Sequence, residues 1–177
     1  MNIFYLHANP KICAQHHVDK HVVKMILEYA QLLSTTHRFL DGTEIITTSN
    51  AGRKVKRWQL PDERDDIFYE ATHLQHPSAI WTRQSDEHYL FLWQLFSCLL
   101  EEYTFRYEKR HATGRLLIPL KRLPANIKAR GFTQPIPVMF GKYIIAGDSI
   151  NSYRNYYIGE KSALFSWKKR ERPEWLT

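Results

Sequence analysis

Apolar residues recur along most of this chain at helical spacing. Val18, Val22, Met25, Ile26, Tyr29, Leu32 and Leu33 share one arc at about 100° per residue. They predict an amphipathic helix with Asp19 as its cap, running to about Phe39. Leu40-Asp41-Gly42 stops it. Upstream, Asn9-Pro10 starts a shorter helix to about His17, with Asn at the cap and Pro in the first turn. Residues 2–7 alternate with β-formers and predict a short strand or a buried N-terminal arm.

Residues 41–66 are polar, charged and Gly-containing, and predict a long loop. A short helix is expected over 62–74, beginning near Asp62 and broken by His76-Pro77-Ser78. Ser85 then caps the longest helix, to about His111, with Asp86 and Glu87 in its first turn. Tyr89, Leu92, Leu95, Phe96, Leu99, Tyr103 and Tyr107 gather on one side of it. Phe91, Leu100 and Phe105 carry apolar surface almost all round, as in a central, buried helix.

Beyond Gly114, Pro119, Pro124, Pro135 and Pro137 punctuate a loop-rich segment that is basic from Lys121 to Arg130. A last amphipathic helix is expected from Tyr153 to Lys169. No internal repeat and no Gly/Ser linker interrupts residues 1–177. The expected fold is therefore mainly α. It is a single compact helical domain with a short N-terminal strand or arm and a loop-rich basic C-terminal third.

Composition supports a folded domain: 44% of the 177 residues are hydrophobic and 14% aromatic. A net charge of +7 favours an anionic partner, above all nucleic acid. Cys13 and Cys98 lie in apolar, helical patterns, which fits reduced thiols better than a disulfide framework. No C-x-x-C pair exists, so a cysteine zinc cluster is excluded. No secretory signal and no apolar run of spanning length is found, which predicts a cytoplasmic protein without a membrane partner.

The polar side of the second helix holds the richest chemistry. His17, Lys20, His21, Lys24, Glu28, Gln31, Thr35 and Arg38 form one stripe. It is either an ordinary solvated face or an anion-binding one, since it sets one acid against five basic or imidazole groups. Asp19 and His37 break into the apolar arc, as a cap and as a satisfied core histidine or as site groups. His17 and His21 have the i,i+4 spacing of a helical zinc pair. The H-E-x-x-H glutamate is absent, however, and Lys20 repels a dication, so no metal is expected.

Glu102 and Arg106 sit i,i+4 in the apolar arc of the long helix. They are either a structural ion pair or a pair that holds a phosphate or base edge. In His76-Pro-Ser-Ala-Ile-Trp-Thr-Arg83, Trp81 is either a core ring or a stacking platform, and Arg83 can take a phosphate. The run from Tyr153 to Lys161, with Trp167-Lys-Lys-Arg170, interleaves rings with cations as a strip along a phosphate backbone does. Tyr156 and Tyr157 cannot both point outward. Phosphate-loop, α/β-hydrolase and dinucleotide fingerprints are all missing.

Three blocks together, His17-Val-Asp-Lys-His-Val-Val-Lys-Met-Ile-Leu-Glu28, His76 to Arg83, and Tyr153-Arg-Asn-Tyr-Tyr with Lys161, Trp167 and Pro173-Glu-Trp175, resemble a family of small proteins of tailed phages and some bacteria. That family in turn resembles the antiviral DNA glycosylases that excise glucosylated hydroxymethylcytosine from phage DNA. The resemblance implies a DNA glycosylase that flips a modified pyrimidine out of double-stranded, modified phage DNA and hydrolyses its N-glycosidic bond. It transfers no catalytic residue, so the candidates come from this chain's own chemistry.

Asp19 and Glu28 are the candidate carboxylates. His21 is the proton donor or orienter, and Lys24 is an alternative Schiff-base nucleophile. His76, Trp81, Glu102 and Arg106 are candidates for the base. Lys20, Arg83, Lys142, Arg154, Tyr157 and Lys161 are candidates for the DNA backbone. No cofactor is expected, and the protein is expected to act as a monomer. Three rivals stand beside this assignment: a non-enzymatic DNA-binding protein, a metal nuclease using His17 and His21, and an enzyme of free nucleotides.

Overall fold

The computed structural model describes residues 1–49 and 51–176; Asn50 and Thr177 lie outside the described residues. Among the described residues six α-helices, five short 3-10 turns and one two-stranded hairpin make up the fold, so the mainly α expectation holds. The helices are α1 (Pro10–His16), α2 (Asp19–Asp41), α3 (Arg64–Ile67), α4 (Pro77–Gln84), α5 (Asp86–Tyr107) and α6 (Ser149–Glu160). The strands are β1 (Thr43–Thr48) and β2 (Lys54–Gln59), antiparallel.

The long α2 and α5 pack against each other, with α1 on α5 and α4 against both. Val22, Met25, Ile26, Tyr29, Leu32 and Leu33 of α2 meet Tyr89, Leu92, Leu95, Phe96 and Leu99 of α5 in a buried core. Among the described residues no helix is long and apolar enough to cross a membrane.

Residues 3–6 form an extended, buried arm without a strand partner. Side chains serve its backbone groups instead. Phe4 N–H donates to the Tyr29 hydroxyl (3.1 Å), Leu6 O accepts from Arg154 (3.1 Å), and Phe4 O accepts from the Cys13 thiol (3.2 Å). α1 starts as the sequence predicts, with the Asn9 carboxamide accepting from the Lys11 and Ile12 amides.

α2 ends where Gly42 turns extended, at φ −90° and ψ 162°, a place with no room for a side chain. A Cβ there would stand 2.5 Å from Arg38 O, whereas the bare glycine amide donates to that oxygen at 3.0 Å. Asp19 is the first helical residue and makes no capping bond to the α2 backbone.

Five boundaries differ from the sequence expectation. α5 ends at Tyr107 rather than near His111, with Glu108 left-handed at φ 55°. The loop over 41–66 is instead mostly the β1–β2 hairpin. Its β-branched residues favour strands, but every β1 residue is exposed, so no buried face imprints the usual alternation. Gly52, at φ 75°, supplies the left-handed residue of the connection.

The helix expected over 62–74 shrinks to α3. The Arg38 guanidinium takes the carbonyls of Asp65 (2.7 Å), Phe68 (3.1 Å) and Tyr69 (2.8 Å), which then turn away from helical bonding. His76-Pro77-Ser78 begins α4 rather than ending a helix: the His76 ring accepts from Ser78 N–H at 3.1 Å and Pro77 occupies the first turn. The final helix lies earlier than Tyr153–Lys169. Asp148 caps it, and after Glu160 the chain is drawn off by Asp19, which binds Lys168 N–H, and by His16 O, which accepts from Trp167 Nε1 (3.0 Å).

Candidate active site

The polar stripe of α2 is not a solvated face. His17, His21, Thr35 and Arg38 are buried, Glu28 and Gln31 are half-buried, and only Lys20 and Lys24 are open to solvent. The N-terminal arm and α6 lie over its first half. His17 donates from Nδ1 to Cys13 O (2.7 Å), which fixes the tautomer; its Nε2 then accepts from Tyr29 OH (3.3 Å). Both ring nitrogens are committed, so His17 and His21 do not form a metal pair as they stand. Among the described residues no group of three or more His, Cys, Asp or Glu is placed to hold a metal ion.

His21 differs. It stacks on Phe4 (4.4 Å between ring centres, 13° between planes), and its Nδ1 meets the buried Tyr157 hydroxyl at 2.6 Å. The other nitrogen, Nε2, has no hydrogen-bond partner among the described residues, and His21 as a whole is 7% exposed. Burial, with Lys161 and Lys24 nearby, pushes its pKa down to about 4. At neutral pH it is an uncharged imidazole, suited to orienting a group or accepting a proton rather than donating one as imidazolium.

About one and two turns further along α2 stand Lys24 and Glu28, whose charged groups are 3.1 Å apart. The Glu28 side chain is 15% exposed and that of Lys24 is 67% exposed. Glu28 is also close enough to His76, at the start of α4, to raise the pKa of that ring, although burial, the main influence, lowers it overall. His21, Lys24, Glu28, Tyr157 and Lys161, with His76 adjoining, are thus brought to one side of the molecule.

Asp19, Glu102 and Arg106 are brought together elsewhere, in a different structure. Arg106 is fully buried and donates to Glu102 (2.6 Å), Asp19 (2.8 Å), His17 O (2.9 Å) and Gln15 O (2.9 Å). Asp19 also accepts from Ser166 Oγ (2.6 Å) and Lys168 N–H (3.0 Å), and Glu102 from Arg170 (2.9 Å). Burial raises both carboxyls, but these bonds outweigh it and hold them below the usual carboxylate range. The trio acts as a latch that fastens residues 166–170 across the α1–α2 junction.

The remaining candidates divide between packing and surface. Trp81 is buried, stacked on His88 (4.3 Å, 11°), and donates to Thr133 O (3.1 Å), so it fills the core. Arg83 lies over the Phe39 ring and donates to Leu74 O (2.6 Å). Lys142 pairs with Glu160 (3.3 Å). Arg154, Tyr157 and Lys161 follow one another at i, i+3 and i+7 along α6.

Arg154 opens on a cleft of about 720 Å³ shared with His7, His16, Arg170, Arg172 and Trp175. Sequence reasoning missed Phe4, Tyr29 and Trp175 as partners of the histidines. Trp175 Nε1 donates to His16 Nδ1 at 3.1 Å, a contact between residues too far apart in sequence for any local pattern to signal.

The buried histidines carry a pH prediction. Burial is the main cause of low pKa values at His16 (about 4), His17 (about 3), His21 (about 4) and His37 (about 4). In the unfolded chain each sits near 6.5. Between roughly pH 6.5 and 4 the unfolded chain therefore binds protons that the native state refuses. Stability is fully present above that window and falls as pH drops through it, on the order of several kcal/mol by pH 5. Thermal melts from pH 7 to 5 read it directly, and a flat melting temperature would contradict the buried neutral rings.

No protein-family model, no curated protein and no solved structure that was compared with the chain matches it.

Proposed function

We propose that this protein is a DNA glycosylase that excises a modified pyrimidine, with Glu28 as the working carboxylate. The observation that carries the assignment is the division among the acids. Asp19 and Glu102 have their oxygens committed within the Arg106 latch. Glu28 has one ion-pair partner and stands half-buried within electrostatic reach of His76, two helical turns along α2 from the uncharged His21. The basic surface and the resemblance of the three sequence blocks support the same class.

Cleavage of an N-glycosidic bond builds positive charge on the sugar, which a nearby carboxylate stabilises. The C1′–N bond breaks and a C1′–O bond forms to water. The water's proton passes to Glu28 and then to the departing base. His21, held by Tyr157, orients the water or the sugar, while Lys24 and Lys161 hold the flanking phosphates. The exposed, ion-paired Lys24 suits a phosphate contact, so borohydride is expected to trap no covalent DNA adduct.

The test uses the purified chain with chelator present, on unmodified DNA and on hypermodified phage DNA. Released base is sought by mass spectrometry and abasic sites by alkali lability. Base release from modified DNA, with binding that weakens steeply as salt rises, is the expected result. Tight, salt-sensitive binding without release would replace the glycosylase with a DNA-binding protein. Strand breaks restored only by added divalent metal would replace it with a nuclease.

A further inference from the structure

The β1–β2 hairpin has no part in the chemistry above, yet it is strongly basic. Residues 43–59 carry Arg53, Lys54, Lys56 and Arg57 against Glu44 alone. The register places Glu44 with Trp58, Ile46 with Lys56 and Thr48 with Lys54 on one face. That face looks across a cleft of about 730 Å³ toward Phe39 and the segment from His73 to His76.

Trp58 and Phe39 provide ring walls. Gln75, His73 and the Glu44–Lys56 pair (2.7 Å) provide hydrogen-bonding groups at the rim. Among the described residues Lys54 has no acidic partner. His73 takes a left-handed backbone, φ 51°, a conformation that histidine adopts more readily than most residues and that turns the chain at the edge of the cleft. His76 joins this cleft to the neighbourhood of Glu28.

We infer that this cleft receives a single nucleobase of a bound DNA strand, with Trp58 as the ring on which it stacks. The match is chemical. Flat apolar walls with a few converging polar groups suit an aromatic heterocycle. Lys54 and Lys56 on the same face suit the phosphates attached to it. A merely apolar ligand would leave those cations without a purpose. The inference rests on the DNA-directed function proposed above and adds to it where the base goes.

The experiment is photocrosslinking of the full chain to duplex DNA carrying 5-iodouracil, with the adduct mapped by peptide mass spectrometry. Adducts on Trp58 or on the His73–His76 segment are expected. Trp58→Leu should lower their yield about ten-fold or more, and Trp58→Phe should restore most of it. The far-ultraviolet dichroism should stay close to that of the unsubstituted protein, and adduct yield is read per mole of DNA bound in a gel shift, so that weaker binding by Trp58→Leu does not pass for a displaced base.

Adducts on the Trp175 cleft, undiminished adducts in Trp58→Leu, or bound DNA without any adduct would each overturn the inference. Crosslinking needs only binding. Loss of the glycosylase assignment therefore leaves the result readable, and base release with adducts elsewhere rejects the pocket alone.

Discussion

Replacing Arg106 with methionine is expected to destabilise the protein by about 3–5 kcal/mol, the range for removing one partner of a buried ionic cluster. Methionine preserves much of the volume, so the loss isolates the charge. What remains is Asp19 and Glu102 beside the uncapped carbonyls of Gln15 and His17. For a chain of this size that corresponds to roughly 6–20 °C in melting temperature.

The effect should be strongly non-additive. Once Arg106 is gone, Asp19→Asn removes a stranded charge and should recover part of the loss. Urea titrations of the two single variants and the double variant measure this, and a change under about 1 kcal/mol in Arg106→Met would show that the latch does not hold the fold.

Glu28→Gln is expected to have the opposite profile. It replaces the carboxylate with an isosteric amide, removing the group that carries charge and takes the proton. Base release from modified DNA should fall about 10²–10⁴-fold, the range for a general acid–base group. Stability should shift by less than about 1 kcal/mol, because the Lys24 partner is largely in solvent.

Gel-shift affinity for the same DNA should change little. Asp19→Asn should behave inversely, lowering the melting temperature more than it lowers turnover per folded molecule. Undiminished release by Glu28→Gln would remove Glu28 from the mechanism and return attention to the acids of the latch.

How much of this was legible in the sequence depended on whether an element recorded its own environment. α2 and α5 bury an apolar arc, so their periodicity, and nearly their ends, could be read. The hairpin buries neither face, so Thr43 to Gln59 read as a polar loop. Residues 62–74 kept a helical composition, but Arg38, from another helix, decides where their carbonyls go.

The candidate residues followed the same rule. Local spacing singled out His21, Lys24 and Glu28, which do share a surface. The same spacing could not separate Glu28 from Asp19, because the partners of Asp19 are Arg106, Ser166 and Lys168. Trp58 carried no signal, since its value as a ring comes from Phe39 and His73 across the cleft.

The latch also sets a timetable for synthesis. Asp19 waits for Lys168, 149 positions later in the chain, roughly 8–30 s at ribosomal elongation rates. Until then the α1–α2 junction has a carboxylate without its backbone donor, and Tyr157 has not yet reached His21. A nascent chain stalled before α6 would carry the helical core without the covered polar face. Any activity that depends on the held His21 ring therefore begins only after α6 has been made and has folded back.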